Sequence, residues 1–172
     1  MNTLKYKYGF FILFIFYLSL SNPAIGQEVE ITTIYLIRHA EKADDGTSDP
    51  PLSDKGQIRA KNLAFLLQDV EVDAIYSTNY KRTMETVDEL SENKNIPVTR
   101  YNPGDPAMVE SILSAYGGGN VVIVGHSNTV PATVNQLIGY NQFNQLPESE
   151  YDKLFLVNLV KIGEGKVQIL RY

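Results

Sequence analysis

Hydrophobic positions along this chain fall into six short β-type runs separated by segments of helical spacing, an alternation that predicts helices packed on a sheet. The first run, Thr32-Thr33-Ile34-Tyr35-Leu36-Ile37-Arg38-His39, is nearly unbroken apolar until its end and reads as a buried strand. A polar loop from Glu41 to Pro51 follows, and Ser53 or Asp54 then caps a helix whose Ile58, Leu63, Phe65, Leu66 and Leu67 predict a broad apolar face. Ala74-Ile75-Tyr76-Ser77 is a short second strand. A second helix spans about Tyr80 to Asn93, with Met84, Val87 and Leu90 on the buried side and Asn79 or Thr78 as its cap.

Pro97-Val98-Thr99-Arg100 predicts strand three, and Asp105-Pro106 predicts the start of a third helix carrying Met108, Val109, Ile112 and Leu113 into the core. Gly117-Gly118-Gly119-Asn120 is helix stop and turn: it precedes a strand, whereas a phosphate loop follows one and continues into Gly-Lys-Ser or Gly-Lys-Thr. Strand four, Val121-Val122-Ile123-Val124, ends in Gly125-His126-Ser127-Asn128-Thr129. A helix over about Val130 to Ile138 follows, with Pro131 tolerated in its first turn. Leu154–Lys161 and Val167–Arg171 around Gly163-Glu164-Gly165 predict a closing hairpin. The expected architecture is therefore α/β: a three-layer α/β/α sandwich on a mostly parallel sheet of about six strands with an antiparallel C-terminal hairpin.

The residues before this pattern change its bounds. Lys5 and Lys7, an apolar block from Phe10 to Leu20, and Ser21-Asn22-Pro23-Ala24-Ile25-Gly26 have the layout of a secretory signal, too short in apolar length to span a bilayer. The expectation is a signal peptide over 1–26, one domain over 27–172, and an exported protein, periplasmic or secreted, without stable membrane insertion once the signal is gone. Removing two lysines takes the net charge from −5 to about −7. That balance argues against nucleic acid as a partner, since phosphate backbones demand clustered Lys and Arg. It also makes Arg38 and Arg82 the candidates for a local positive pocket. Cysteine is absent, which excludes disulfides, thiolate zinc sites and cysteine nucleophiles together.

Both histidines of the chain close a β-run. Side chains at the carboxyl ends of strands in an open α/β sheet face the crevice where ligands bind. His39 and His126 can therefore converge on one substrate, and Ser77-Thr78-Asn79-Tyr80-Lys81-Arg82-Thr83 would bring Arg82 to the same rim, in the first turn of a helix where backbone N–H groups favour an anion. A lone histidine at a strand end is ordinarily structural. Arg38 beside it changes that, because a guanidinium there needs an anionic partner and its planar fork matches phosphate oxygens.

These segments resemble the histidine phosphatase superfamily, also called phosphoglycerate-mutase-like. Arg38-His39-Ala40-Glu41-Lys42 is similar to its signature, Tyr76-Ser77-Thr78 through Arg82-Thr83 with Glu85-Thr86 to its second motif, and Val124-Gly125-His126-Ser127 to its third. The short length and the lack of a long helical insertion look most like the small SixA-type branch. The resemblance implies a phosphatase acting on a phosphomonoester or phosphoprotein without cofactor or metal. It makes His39 the nucleophile, forming a phosphohistidine, and places Arg38, Arg82 and His126 around the phosphoryl oxygens with Ser127 N–H as a further donor. Asp105 would be the acid that protonates the leaving group, although aspartate before proline is also an ordinary helix cap. Glu41 is the rival acid.

Mutase-type members carry Arg-His-Gly and an asparagine six residues past the nucleophile, where this chain has Ala40 and Asp45. A carboxylate at that place would repel phosphate, so hydrolysis is expected rather than phosphoglycerate-mutase-type transfer. The alternative from another class is a non-catalytic module binding a phospholigand or a protein. An α/β-hydrolase reading of Gly125-His126-Ser127-Asn128-Thr129 fails because the elbow needs a glycine at Thr129 and a histidine downstream. Asp44, Asp45 and Asp49 fit no metal-loop spacing and read as a solvated loop. Substrate choice is expected to rest on the Glu41–Pro51 loop and the Asn141–Tyr151 segment.

Overall fold

The computed structural model describes residues 29–172; the expected signal segment lies outside the described residues. Six strands and four helices follow one another as β1 (Thr32–Arg38), α1 (Asp54–Leu66), β2 (Ala74–Ser77), α2 (Lys81–Lys94), β3 (Val98–Arg100), α3 (Met108–Tyr116), β4 (Asn120–Gly125), α4 (Thr129–Ile138), β5 (Lys153–Leu159) and β6 (Lys166–Arg171). They form one sheet in the order β3-β2-β4-β1-β5-β6. β1 to β4 are mutually parallel, and β5 and β6 form the antiparallel hairpin at the far edge. Among the described residues no helix is long and apolar enough to cross a membrane.

The strand order explains the layers. Crossovers between parallel strands are right-handed, so a chain stepping one way across a sheet puts its helices on one face, and reversing direction moves them to the other. From β1 to β2 to β3 the chain moves toward one edge, and α1 and α2 share a core with Tyr35, Ile37, Ile75, Val122 and Val124. From β3 it returns to β4, and α3 and α4 pack on the opposite face against Ile34, Leu36, Val121, Ile123 and Phe155. The central strands β1 and β4 are covered on both faces, which is why they read as continuous apolar runs.

Several sequence expectations are corrected. The first helix does not bury a broad apolar face: Ile58, Phe65 and Leu66 are exposed, and the buried stripe is Gly56, Ala60, Leu63, Ala64 and Leu67. Small residues hold this face because α1 runs close to its neighbours; a Cβ on Gly56 would collide with the Glu41 carbonyl oxygen. Ser53 caps α1 as expected, accepting from Gly56 N–H. Neither Asn79 nor Thr78 caps α2. Tyr80 occupies the cap position, and Asp49 from the preceding loop accepts from Lys81 N–H at 3.0 Å. The third helix begins at Met108, after a turn in which Asp105 Oδ1 accepts from Ala107 N–H.

Candidate active site

Register places the two histidines together. β1 and β4 are adjacent with Arg38 opposite Gly125, so the residue after each strand is a histidine at matched height. His39 N–H donates to Gly125 carbonyl at 2.9 Å, and the imidazole centroids are 5.5 Å apart. Gly125 lets the end of β4 pack closely against the start of α4 and the Tyr101 hydroxyl, because a Cβ there would lie 2.8 Å from Thr129 Oγ1 and 3.0 Å from Tyr101 Oη. β2 flanks β4, and its end delivers Thr78 and then α2 with Arg82 in its first turn.

An open cavity of about 420 Å3 sits at these strand ends, lined by Arg38, His39, Arg82, His126 and Ser127 with Lys42, Tyr80, Pro103, Asn128, Thr129 and Glu148. His39 forms part of its floor at 5% exposure. Its Nδ1 lies 2.8 Å from the Ala40 carbonyl oxygen, which can only accept, so Nδ1 carries the hydrogen and Nε2 keeps its lone pair. Burial is the largest influence on this ring and pushes its pKa down to about 3. The Ala40 contact opposes this, while Arg38, Arg82 and His126 push the same way as burial. His126 is lowered to about 4 by burial and then by the two arginines. In the free protein at neutral pH both rings are neutral.

A hydroxyl relay orients His126. Thr83 Oγ1 donates to the carbonyls of Thr78 or Tyr80, at 2.8 and 2.9 Å, so it accepts from Thr78 Oγ1 at 3.0 Å. Thr78 Oγ1 must then accept from His126 Nε2–H at 2.9 Å. This leaves His126 Nδ1 to take a second proton when an anion arrives. Thr78 and Thr83 belong to the second motif quoted from the sequence, but neither was given this role; their placement at the end of β2 and in the first turn of α2 was the available signal.

Arg38 is 2% exposed. Its Nη1 donates to the carbonyls of Pro147 and Glu150 at 2.7 and 3.2 Å, its Nη2 donates to Glu148 Oε2 at 2.9 Å, and its plane lies 4.1 Å from the Tyr151 ring centre. Its Nε is buried with no partner. Arg82 is held over the Tyr80 ring at 4.4 Å and lies 3.6 Å from Asp49 Oδ1. Asp49 therefore bridges loop and helix, while Asp44 and Asp45 are exposed as expected of a solvated loop.

The remaining sequence candidates lie elsewhere. Asp105 is exposed, outside the cavity lining, with its carboxylate in the turn before α3. Glu41 is also outside the lining. Burial acts to raise its pKa, but the bidentate Arg59 contact at 2.8 Å and the Lys55 contact override it and hold the carboxyl at about 2, so it has no proton to give near neutral pH. Asp45 turns back on Thr47 and does not line the cavity, so the repulsion expected from it does not arise. Glu148, which does line it, was reached in the sequence only as part of the Asn141–Tyr151 segment.

That segment is tied down at several points. Leu146 is buried and its N–H donates to the Ser127 carbonyl, while Asn135 on α4 accepts from Gln142 and Phe143 N–H and donates to the Phe143 carbonyl. Asn135 thus anchors the strap that carries Glu148.

The sheet thus brings together an Arg-His pair at the end of β1, an arginine in the first turn of α2 and a histidine after β4. The sequence profile of the histidine phosphatase superfamily (branch 1) matches residues 34–102, the stretch that holds Arg38, His39 and Arg82. Phosphoserine phosphatase 1 of Hydrogenobacter thermophilus is 40% identical over 73 residues, covering 39% of this chain and 35% of that protein, so the match spans about a third of the relative's length. In fold the chain is similar to the protein histidine phosphatase SixA complexed with tungstate, with TM-score 0.67, 22% identity, and 81% of this chain and 96% of that one covered. A mycobacterial glucosyl-3-phosphoglycerate phosphatase gives TM-score 0.64 at 13% identity, covering 82% of this chain and 99% of that one.

Proposed function

We propose that the protein is a metal-independent phosphatase that hydrolyses a phosphomonoester, free or on a protein, through a phosphohistidine on His39. The observation that carries this reading is the His39 tautomer: Nδ1 is tied to the Ala40 carbonyl, so the lone pair of Nε2 is available beside two guanidiniums and a second imidazole. Attack by Nε2 on phosphorus splits one difficult displacement into two easier ones. A pKa near 3 keeps the nucleophile unprotonated across the physiological range.

Arg38, Arg82 and His126 surround the charge that spreads over the phosphoryl oxygens in a loose transition state. The unpartnered Arg38 Nε supports this, since a buried guanidinium N–H without an acceptor costs free energy that an anion would restore. The N-termini of α2 and α4 meet the same cavity, and Ser127 N–H, just before the Asn128 cap of α4, is a further donor. Three cationic groups supply the charge neutralisation that a magnesium ion gives other phosphoryl-transfer sites. The protein is read as exported, on the strength of the 1–26 segment.

The test is labelling with a phosphate ester carrying labelled phosphorus, in EDTA and quenched in alkaline detergent, on wild type, His39→Ala and Arg82→Ala. Wild type is expected to trap an acid-labile, base-stable phosphoryl group that His39→Ala lacks, and Arg82→Ala to lose about 10²–10³ in kcat. Turnover without a trapped phosphohistidine, or with chelator sensitivity, overturns the mechanism. Inactivity of the wild type across a broad panel favours the phospholigand-binding module.

A further inference from the structure

The reaction needs a proton for the leaving oxygen, and neither Asp105 nor Glu41 is placed to give one. Glu148 is the one carboxylate among the described residues that line the cavity. We infer that Glu148 is the proton donor to the leaving group, held in reserve as the partner of Arg38 in the free enzyme and released by the incoming phosphate. This rests on the phosphatase reading above.

The position fits an in-line displacement. The nucleophile His39 is nearly buried on the cavity floor, whereas the Glu148 side chain is 74% exposed at the mouth. In-line attack puts the leaving oxygen on the far side of phosphorus from the nucleophile, which is the mouth side. The topology explains how a carboxylate reaches that place. β5 runs antiparallel to β1, with Leu154 opposite Ile37, so the chain must climb back from the end of α4 to the carboxyl end of β1 before it enters the strand. The strap that makes this climb crosses Arg38 and presents Pro147, Glu148 and Glu150 to it.

The chemistry follows from charge. Arg38 Nη2 binds Glu148 at 2.9 Å in the free protein. A phosphate dianion carries more charge than a carboxylate and offers more acceptor oxygens, so it displaces Glu148 from the guanidinium while Pro147 and Glu150 carbonyls keep Arg38 in place. Glu148 then loses its cation and faces an anion, and both changes favour its protonated form. The proton is the one that a substrate monoanion brings in: its transfer to Glu148 leaves the ester as the dianion bound to Arg38, so the total charge in the cavity is conserved. As the His39 Nε2–P bond forms and the P–O ester bond breaks, the Glu148 proton passes to the leaving oxygen and an alcohol departs. In the second half, water attacks phosphorus, its proton returns to the Glu148 carboxylate, the N–P bond breaks and inorganic phosphate is released.

The experiment compares wild type, Glu148→Gln and Glu148→Asp on a series of phosphate esters from p-nitrophenyl phosphate to an alkyl phosphate, with thermal unfolding as the control for folding. A proton donor matters in proportion to the basicity of the leaving oxygen. Glu148→Gln is expected to lose about 10²-fold or more in kcat on the alkyl ester, and roughly tenfold less than that on the nitrophenyl ester. The dependence of rate on leaving-group pKa therefore steepens, and Glu148→Asp recovers part of the alkyl activity. An equal loss on every ester overturns the proposal, as does a lower KM with the wild-type leaving-group dependence, which would make Glu148 a mere competitor for Arg38. Steepening in Lys42→Met or Tyr80→Phe instead would move the role to one of those cavity residues. A wild type inactive on every ester removes the phosphatase reading itself; an active wild type with parallel slopes removes Glu148 alone.

Discussion

Lowering the pH from 7 to 5 is expected to weaken the fold through the active site. His39 and His126 bind protons at about 3 and about 4 in the folded chain against about 6.5 when unfolded. The unfolded chain therefore holds more protons between about pH 6.5 and 3, and stability falls as the pH falls through that window. Between pH 7 and 5 the linkage amounts to about 2 kcal/mol for each histidine. His126 faces the open cavity and is screened by solvent, so the pair should give about 3 kcal/mol, a large share of a typical stability of 5–15 kcal/mol. Ordinary carboxylates titrate below this range, and the histidine variants separate the two rings from Asp88, whose carboxyl is raised by burial and by Glu85 and Glu92.

The assay is urea unfolding followed by circular dichroism at both pH values for wild type, His39→Gln and His126→Gln. Each substitution should remove its own share of the pH dependence, so the variants lose less stability than wild type on acidification. Saturating inorganic phosphate should flatten the wild-type slope, because a bound anion restores the proton affinity of His126. A wild-type change below about 1 kcal/mol, or an unaltered slope in both variants, would refute the claim that these rings are neutral because they are buried beside two arginines.

Gly125→Ala should cost about 1–3 kcal/mol, seen as a lower Tm, because the new methyl meets Thr129 Oγ1 at 2.8 Å and that hydroxyl is held by His126 N–H; an unchanged Tm would mean the strand end yields freely. Glu41→Gln should destabilise by about 2–4 kcal/mol, since it leaves the half-buried Arg59 without its bidentate carboxylate. Its kcat on p-nitrophenyl phosphate should be little changed, because Glu41 does not line the cavity; a collapse of kcat with intact folding would restore Glu41 as the acid.

What could be read along the chain was whatever depends on covalent neighbours. β1 and β4 are apolar because both faces are covered, so they are visible as runs, and the Arg38-His39 and Gly125-His126 pairs are attached to their ends. Ser53 caps α1 with groups three residues apart, another local fact. The helix face of α1 was harder. Counting Ile58, Phe65 and Leu66 as buried followed their hydrophobicity, whereas close approach to neighbouring backbone selected the small residues Gly56, Ala60 and Ala64.

Convergence of the site was decided only in three dimensions. The insertion of β4 between β1 and β2 makes the histidines neighbours, and no residue in either segment encodes that adjacency alone; it follows from the reversal of chain direction after β3 and the packing of helices on opposite faces. Carboxylates were the least legible, because a surface Asp or Glu has many local partners. Asp105 and Asp45 satisfy nearby turns, Glu41 is taken by Arg59, and Asp49 caps α2 from a distance in sequence. Glu148 meets Arg38 across 110 residues because β5 enters the sheet antiparallel, and strand direction is settled by how the last helix and hairpin bury their apolar faces together.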